Sequence, residues 1–150
     1  MTPMLLAALL GLPAITQSRD SILLACETAQ HVAARVLSLE THLERDVLVA
    51  DAFAPSSVPE RRGCRISGRR DDDRIAAPVD EMFEALQAAG WQLVLEYMAD
   101  GPDGSVVGMT VGPALCIIEG TWDGGDDSDT TYVPMPGYDL EVRCFRRSRT

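Results

Sequence analysis

Residues 91–122, WQLVLEYMADGPDGSVVGMTVGPALCIIEGTW, decide the fold. From Trp91 the apolar period is two: Leu93, Leu95 and Tyr97 alternate with Gln92, Val94 and Glu96, the signature of a half-buried strand. Asp100-Gly101-Pro102-Asp103-Gly104 then supplies residues that tolerate positive φ, which predicts a hairpin. Val107, Met109 and Val111 form the returning strand, and Gly112-Pro113 is a second reversal. In the next strand Cys116, Ile118 and Trp122 share a face; in a last strand over 138–145 Tyr138, Leu140, Val142 and Cys144 do the same. Four consecutive strands joined by short turns are an antiparallel meander.

Upstream, Pro78 suits the first position of a helix whose core side is Val79, Met82, Phe83 and Leu86, ending at Gly90. Residues 63–68, GCRISG, read as a short strand with Cys64 and Ile66 on one face, and 54–60 as a loop. Over residues 21–47, Ile22, Cys26, Ala29, Ala33, Val36, Leu43 and Val47 recur at helical spacing, with Glu27, His31, Arg35, Ser38, His42 and Asp46 opposite; Glu40 alone interrupts the stripe. The expectation is therefore α+β: two helices packed on one face of an antiparallel sheet of about five strands, in the order helix, strand, helix, then the four-strand meander.

The chain has 150 residues, 46% hydrophobic and 24% charged, enough for one packed core and unlike a disordered chain. No repeat or linker divides it, so residues 19–150 read as one domain. Residues 1–18 are free of side-chain charge. With the run LLAALLGL at 5–12 and small residues at Thr16 and Ser18, they read as a signal peptide cleaved after Ser18. That run is too short to span a bilayer. A lipoprotein reading of Leu23-Leu24-Ala25-Cys26 fails on Arg19 and Asp20.

Cys26, Cys64, Cys116 and Cys144 are widely spaced, without a C-x-x-C or zinc-finger pattern, and fit disulfides in an exported protein. Their places on the expected elements predict Cys26 with Cys64 and Cys116 with Cys144. His31 and His42, three helical turns apart on the helix expected there, are too distant to share a metal ion.

The net charge is −10, and all thirteen bases are Arg. Ten acids and no base lie between Glu96 and Glu141, an asymmetry that repels phosphate. Arg61, Arg62, Arg65, Arg69, Arg70 and Arg74 form a basic cluster, but Asp71, Asp72 and Asp73 offset it and no aromatic residue interleaves it. A nucleic-acid partner is not expected.

Residues 121–137, TWDGGDDSDTTYVPMPG, are long for a connection between paired strands and rich in carboxylates. Trp122, Asp123, Asp126, Asp127, Asp129 and Tyr132 are the candidate binding residues. Hard oxygens in a glycine-containing loop suit Ca²⁺, with Asp123, Asp126, Asp127 and Asp129 as ligands. The EF-hand register fails, because Tyr132 stands where Gly is needed and Tyr138 where Glu is needed. No G-x-S-x-G, P-loop, dinucleotide fingerprint or H-E-x-x-H is present, so no catalytic residue and no cofactor other than Ca²⁺ is nominated.

The stretch from Trp122 to Asp129, followed by Tyr132, Pro134, Tyr138 and Cys144, resembles the end of small uncharacterised exported bacterial proteins. That resemblance implies export and no particular activity. The order helix 79–89, Gly90-Trp91, strand, Asp-Gly turn, strand resembles the domain shared by YbjN-like proteins and type III secretion chaperones, which implies a cytoplasmic adaptor. The residues themselves favour a non-enzymatic exported domain, periplasmic or extracellular, whose acidic loop and sheet edge meet a basic protein surface or a cation. The rivals are the intracellular adaptor and a hydrolase using clustered carboxylates.

Overall fold

The computed structural model describes residues 14–51, 60–72, 77–125, 128–129 and 131–148. Most of the expected signal segment and its 5–12 run therefore lie outside the described residues. The chain runs α1 (Ala14–Val36), β1 (His42–Val49), β2 (Arg61–Arg70), α2 (Pro78–Ala88), β3 (Gln92–Gly101), β4 (Gly104–Val111), β5 (Ala114–Thr121), β6 (Tyr138–Arg146). The strands form one antiparallel sheet in the order β1-β2-β6-β5-β4-β3. The class is α+β with both helices on one face, and β3 to β6 are the expected meander. No described helix is long and apolar enough to cross a membrane.

The sheet has six strands, not about five, and the helix expected over 21–47 ends eleven residues early. Ser38 takes a left-handed conformation (φ 50°) after the last helical turn, and Leu37 and Leu39 donate their N–H groups back to the Ala33 carbonyl. Leu37 and Leu39 are buried by this turn at 1% and 4% exposure, a burial that a continuing helix would deny to one of them. The chain then reverses into β1. Leu43 and Val47, spaced like a helical stripe, are strand residues on opposite faces. A bulge at Asp46 (φ 53°) reverses the alternation between them, so Leu43 packs toward the helices and Val47 away from them. His42 consequently sits on β1, and the helical spacing from His31 does not apply.

The main core lies between the helices and the sheet. Ile22, Cys26, Ala29 and Ala33 of α1 and Val79, Met82 and Leu86 of α2 cover Cys64, Ile66, Met109, Ile118, Leu140, Val142 and Cys144. Each large aliphatic side chain buried there contributes about 1.5–3 kcal/mol. α2 begins at Pro78 and ends before Gly90 (φ +90°), as its sequence requires.

A second cluster occupies the other face: Val49, Val94, Leu115, Ile117 and Phe145, with Val47, Tyr97 and Val106 against them. Here β3 departs from simple alternation. The six residues from Val94 to Ala99 oppose three, from Gly108 to Val106, so Leu93 packs with the main core, Tyr97 with the second cluster, and Leu95 is 72% exposed. Leu93, Leu95 and Tyr97 do not share a face. β1 and β3 are opposite edges, which a flat six-strand sheet would hold about 24 Å apart. Yet Val49 and Val94 share one cluster, and the Tyr97 hydroxyl donates to Asp51 at 2.6 Å. The sheet is therefore curled, edge toward edge. Burial of Tyr97, with the Asp51 hydrogen bond added, pushes its phenol up to about 12.

Both disulfides join the expected pairs, Cys26–Cys64 and Cys116–Cys144. Cys64 is the register partner of Cys144, and Cys144 of Cys116, so three cysteines stand side by side across β2, β6 and β5. Cys26 reaches that row from α1.

Candidate binding loop and the charged end of the sheet

The acidic loop leaves β5 at Thr121 and is pinned at once. Trp122 donates its backbone N–H to the Asp103 carbonyl (2.9 Å) and its indole N–H to the Pro102 carbonyl (2.7 Å), which ties the loop to the β3–β4 turn. The Asp103 carboxylate accepts the Gly124 N–H at 3.1 Å, and a Cβ at Gly124 would lie 2.4 Å from that carboxylate. Only glycine fits this approach. At the far end Gly137 (φ +92°) brings the chain against the Arg70 carbonyl and into β6.

Between these anchors Asp123 organises the loop. It accepts the Tyr132 hydroxyl, the Met135 N–H (2.8 Å) and the Gly125 N–H (3.0 Å). The Tyr132 bond, followed by the two backbone donors, holds this carboxyl below the usual carboxylate range. Asp129 accepts the Thr131 hydroxyl (2.6 Å) and N–H (2.9 Å), and these bonds lower its carboxyl as well. Both acids thus act as turn acceptors. Asp126 and Asp127 lie outside the described residues. Among the described residues the one group of His, Cys, Asp or Glu drawn together closely enough to ligate an ion is Cys26, Cys64 and Cys144. The loop presents Tyr132, Val133 and Met135 outward, at 44%, 82% and 62% exposure.

Replacing Asp123 with Asn should lower the Tm at neutral pH and loosen the loop. A carboxyl held low stabilises the fold above its unfolded pKa near ~3.9, and that contribution is lost as pH falls through the folded value. The gap in Tm between the two proteins should therefore close below about pH 3.9. Thermal unfolding followed from pH 7 to 2.5 checks this.

Beside the loop, the sheet face turned away from the helices carries a charge lattice that the sequence reading did not single out. Glu119 and Glu141 are direct register partners, a like-charge pair bridged by Arg143 at 2.5 and 3.3 Å. Arg69 bonds Asp139 (2.8 Å) and Asp71 (2.6 Å). An open cavity of about 540 Å³ lies over Ser67, Arg69, Glu119, Asp139 and Glu141. The alternation of Asp139, Glu141 and Arg143 was the available signal. The cross-strand register that assembles them has no local signature.

Four arginines of the basic cluster are held in ion pairs, Arg62 with Asp46, Arg65 with Glu44, Arg69 with Asp71 and Asp139, and Arg70 with Asp72, while Arg61 donates to the Arg146 carbonyl at 3.0 Å and lies over the Phe145 ring. Arg74 and Asp73 lie outside the described residues. Comparison with protein-family models, with curated proteins and with solved structures returns no match.

Proposed function

We propose that this chain is a non-enzymatic binding domain of an exported protein, periplasmic or extracellular, and that its β5–β6 loop engages a basic protein segment bearing apolar side chains. The observation that carries the reading is the exposure of Tyr132, Val133 and Met135 on a loop whose shape is set by Asp123. Apolar side chains held out by a built loop, beside Asp103 and Asp123, suit a partner with apolar anchors and cationic flanks. A cation is the weaker ligand for this loop, because the oxygens of Asp123 and Asp129 already accept hydrogen bonds from within it. Two disulfides and the apolar 5–12 run support an oxidising compartment.

The test is calorimetric titration with a synthetic peptide alternating Leu and Arg, against the wild type and a Val133→Ser, Met135→Ser double variant. Affinity should fall about tenfold in the variant, with unchanged Tm, and should weaken with salt. Equal affinity in both proteins overturns the loop as the binding element. Heat from millimolar Ca²⁺ in the absence of peptide would transfer the site to a cation. Intact mass of natively produced protein, alkylated with and without reductant, tests export. Four free thiols would instead favour the intracellular adaptor.

A further inference from the structure

A cavity of about 390 Å³ opens beside α1, and its lining includes Arg19, Arg45, Arg62, Arg146, Asp20 and Asp46. Four arginines stand against two aspartates on its wall, in a chain whose net charge is −10. Its floor is apolar and includes the disulfide-bonded Cys64, whose sulfur lies 3.5 Å from the Ile22 carbonyl oxygen and which is the one cysteine of the four with any exposed surface, 2%. An electropositive, partly open surrounding is what favours thiolates and the anionic thiols that attack disulfides. Behind Cys64 lies the second disulfide. The sulfurs of Cys26, Cys64 and Cys144 all fall within 4.8 Å of one another, because Cys64 and Cys144 are register partners and Cys26 descends onto them from α1.

We propose that this cavity is a thiol-exchange site for a small thiol carrying carboxylates, and that the two disulfides form an internal relay behind it. The incoming thiolate attacks the Cys64 sulfur, forming a mixed disulfide. The Cys26–Cys64 bond breaks, leaving its electron pair on Cys26. The Cys26 thiolate then attacks the Cys144 sulfur, forming Cys26–Cys144, and the electron pair of the broken Cys116–Cys144 bond goes to Cys116, which takes a proton from water. One thiol enters and one thiol appears, on the far strand. The carboxylates of the entering thiol are held by Arg45 and Arg62 on the cavity wall, in place of the exposed partners Glu27 (3.2 Å) and Asp46 (3.3 Å) that these arginines hold in the free protein. The proposal requires only that the disulfides be formed, and it is independent of what the β5–β6 loop binds.

The oxidised, folded full chain is treated with reduced glutathione or with cysteamine at matched thiolate concentration, quenched in acid, alkylated and mapped by mass spectrometry. The expected products are glutathione on Cys64 and a free thiol on Cys116. The preference for glutathione over cysteamine should be about tenfold, falling toward unity in an Arg45→Gln, Arg62→Gln double variant. An adduct on Cys116 or Cys144, an adduct that forms only in denaturant, or a free thiol that stays on Cys26 overturns the proposal. A Cys116→Ala variant gives a second readout. The odd thiol should distribute among Cys144, Cys64 and Cys26, and its confinement to Cys144 would refute the relay; if that variant does not fold, the wild-type mapping decides alone.

Discussion

Complete reduction of both disulfides is expected to remove most of the stability of this fold. The two bonds span 38 and 28 residues. On the chain-entropy account they restrict the unfolded chain by about 3.9 and about 3.6 kcal/mol. A domain of this size has about 5–15 kcal/mol in total, so losing both leaves little or nothing. The two do not act alike in the native state. Cys116–Cys144 links strands that are already paired, whereas Cys26–Cys64 holds α1 to the sheet over the main core. Urea unfolding with and without dithiothreitol should show the midpoint falling by more than half, with the largest loss of helical signal from α1. A midpoint within ~0.5 M of the oxidised protein would mean that the apolar core alone sustains the fold.

The substitution Gly63→Ala should be nearly as damaging. A Cβ built on Gly63 would lie 1.9 Å from the Cys144 carbonyl oxygen and 3.2 Å from the Phe145 Cα, both backbone atoms of β6. No rotamer change relieves a clash with backbone. β2 and β6 must move apart just where Cys64 faces Cys144, at a cost of at least about 3 kcal/mol. That corresponds to a drop of roughly 6–12 °C in Tm. Gly101→Ala is the control, since its added Cβ meets nothing nearer than 3.7 Å and should change stability by less than about 0.5 kcal/mol. Differential scanning calorimetry of the two variants separates the cases, and equal Tm values for both would show that the β2–β6 approach is not the limiting contact.

What the sequence makes legible here is local. Pro78, Gly90 and the Val79-Met82-Phe83-Leu86 spacing mark α2 unambiguously, and Gly112-Pro113 and Asp103-Gly104 mark the turns of the meander. β1 was hidden because its apolar residues are four apart, a spacing shared by a helix and by a strand broken by a bulge at Asp46. The end of α1 carries no glycine, only Ser38 in a left-handed turn, and Glu40 was the one residue out of step. The same limit governs the sites. Asp123, Asp129, Trp122 and Tyr132 were visible as a polar segment, yet their partners, the Met135 N–H that Asp123 accepts and the Pro102 and Asp103 carbonyls that accept from Trp122, could not be read from spacing. The Glu119–Glu141–Arg143 lattice and the arginines around Cys64 depend on register and on α1 crossing the sheet, which are long-range facts.

The two sulfur bridges also set how the polypeptide answers a pulling force. Their spans are separate in sequence, and together they withhold 66 residues from extension. At ~3.5 Å per residue, some 230 Å of contour stays locked even after every strand has peeled away. Tension on the ends can lengthen this molecule only in part until a reductant arrives, so its reach under load reports the redox state of its surroundings.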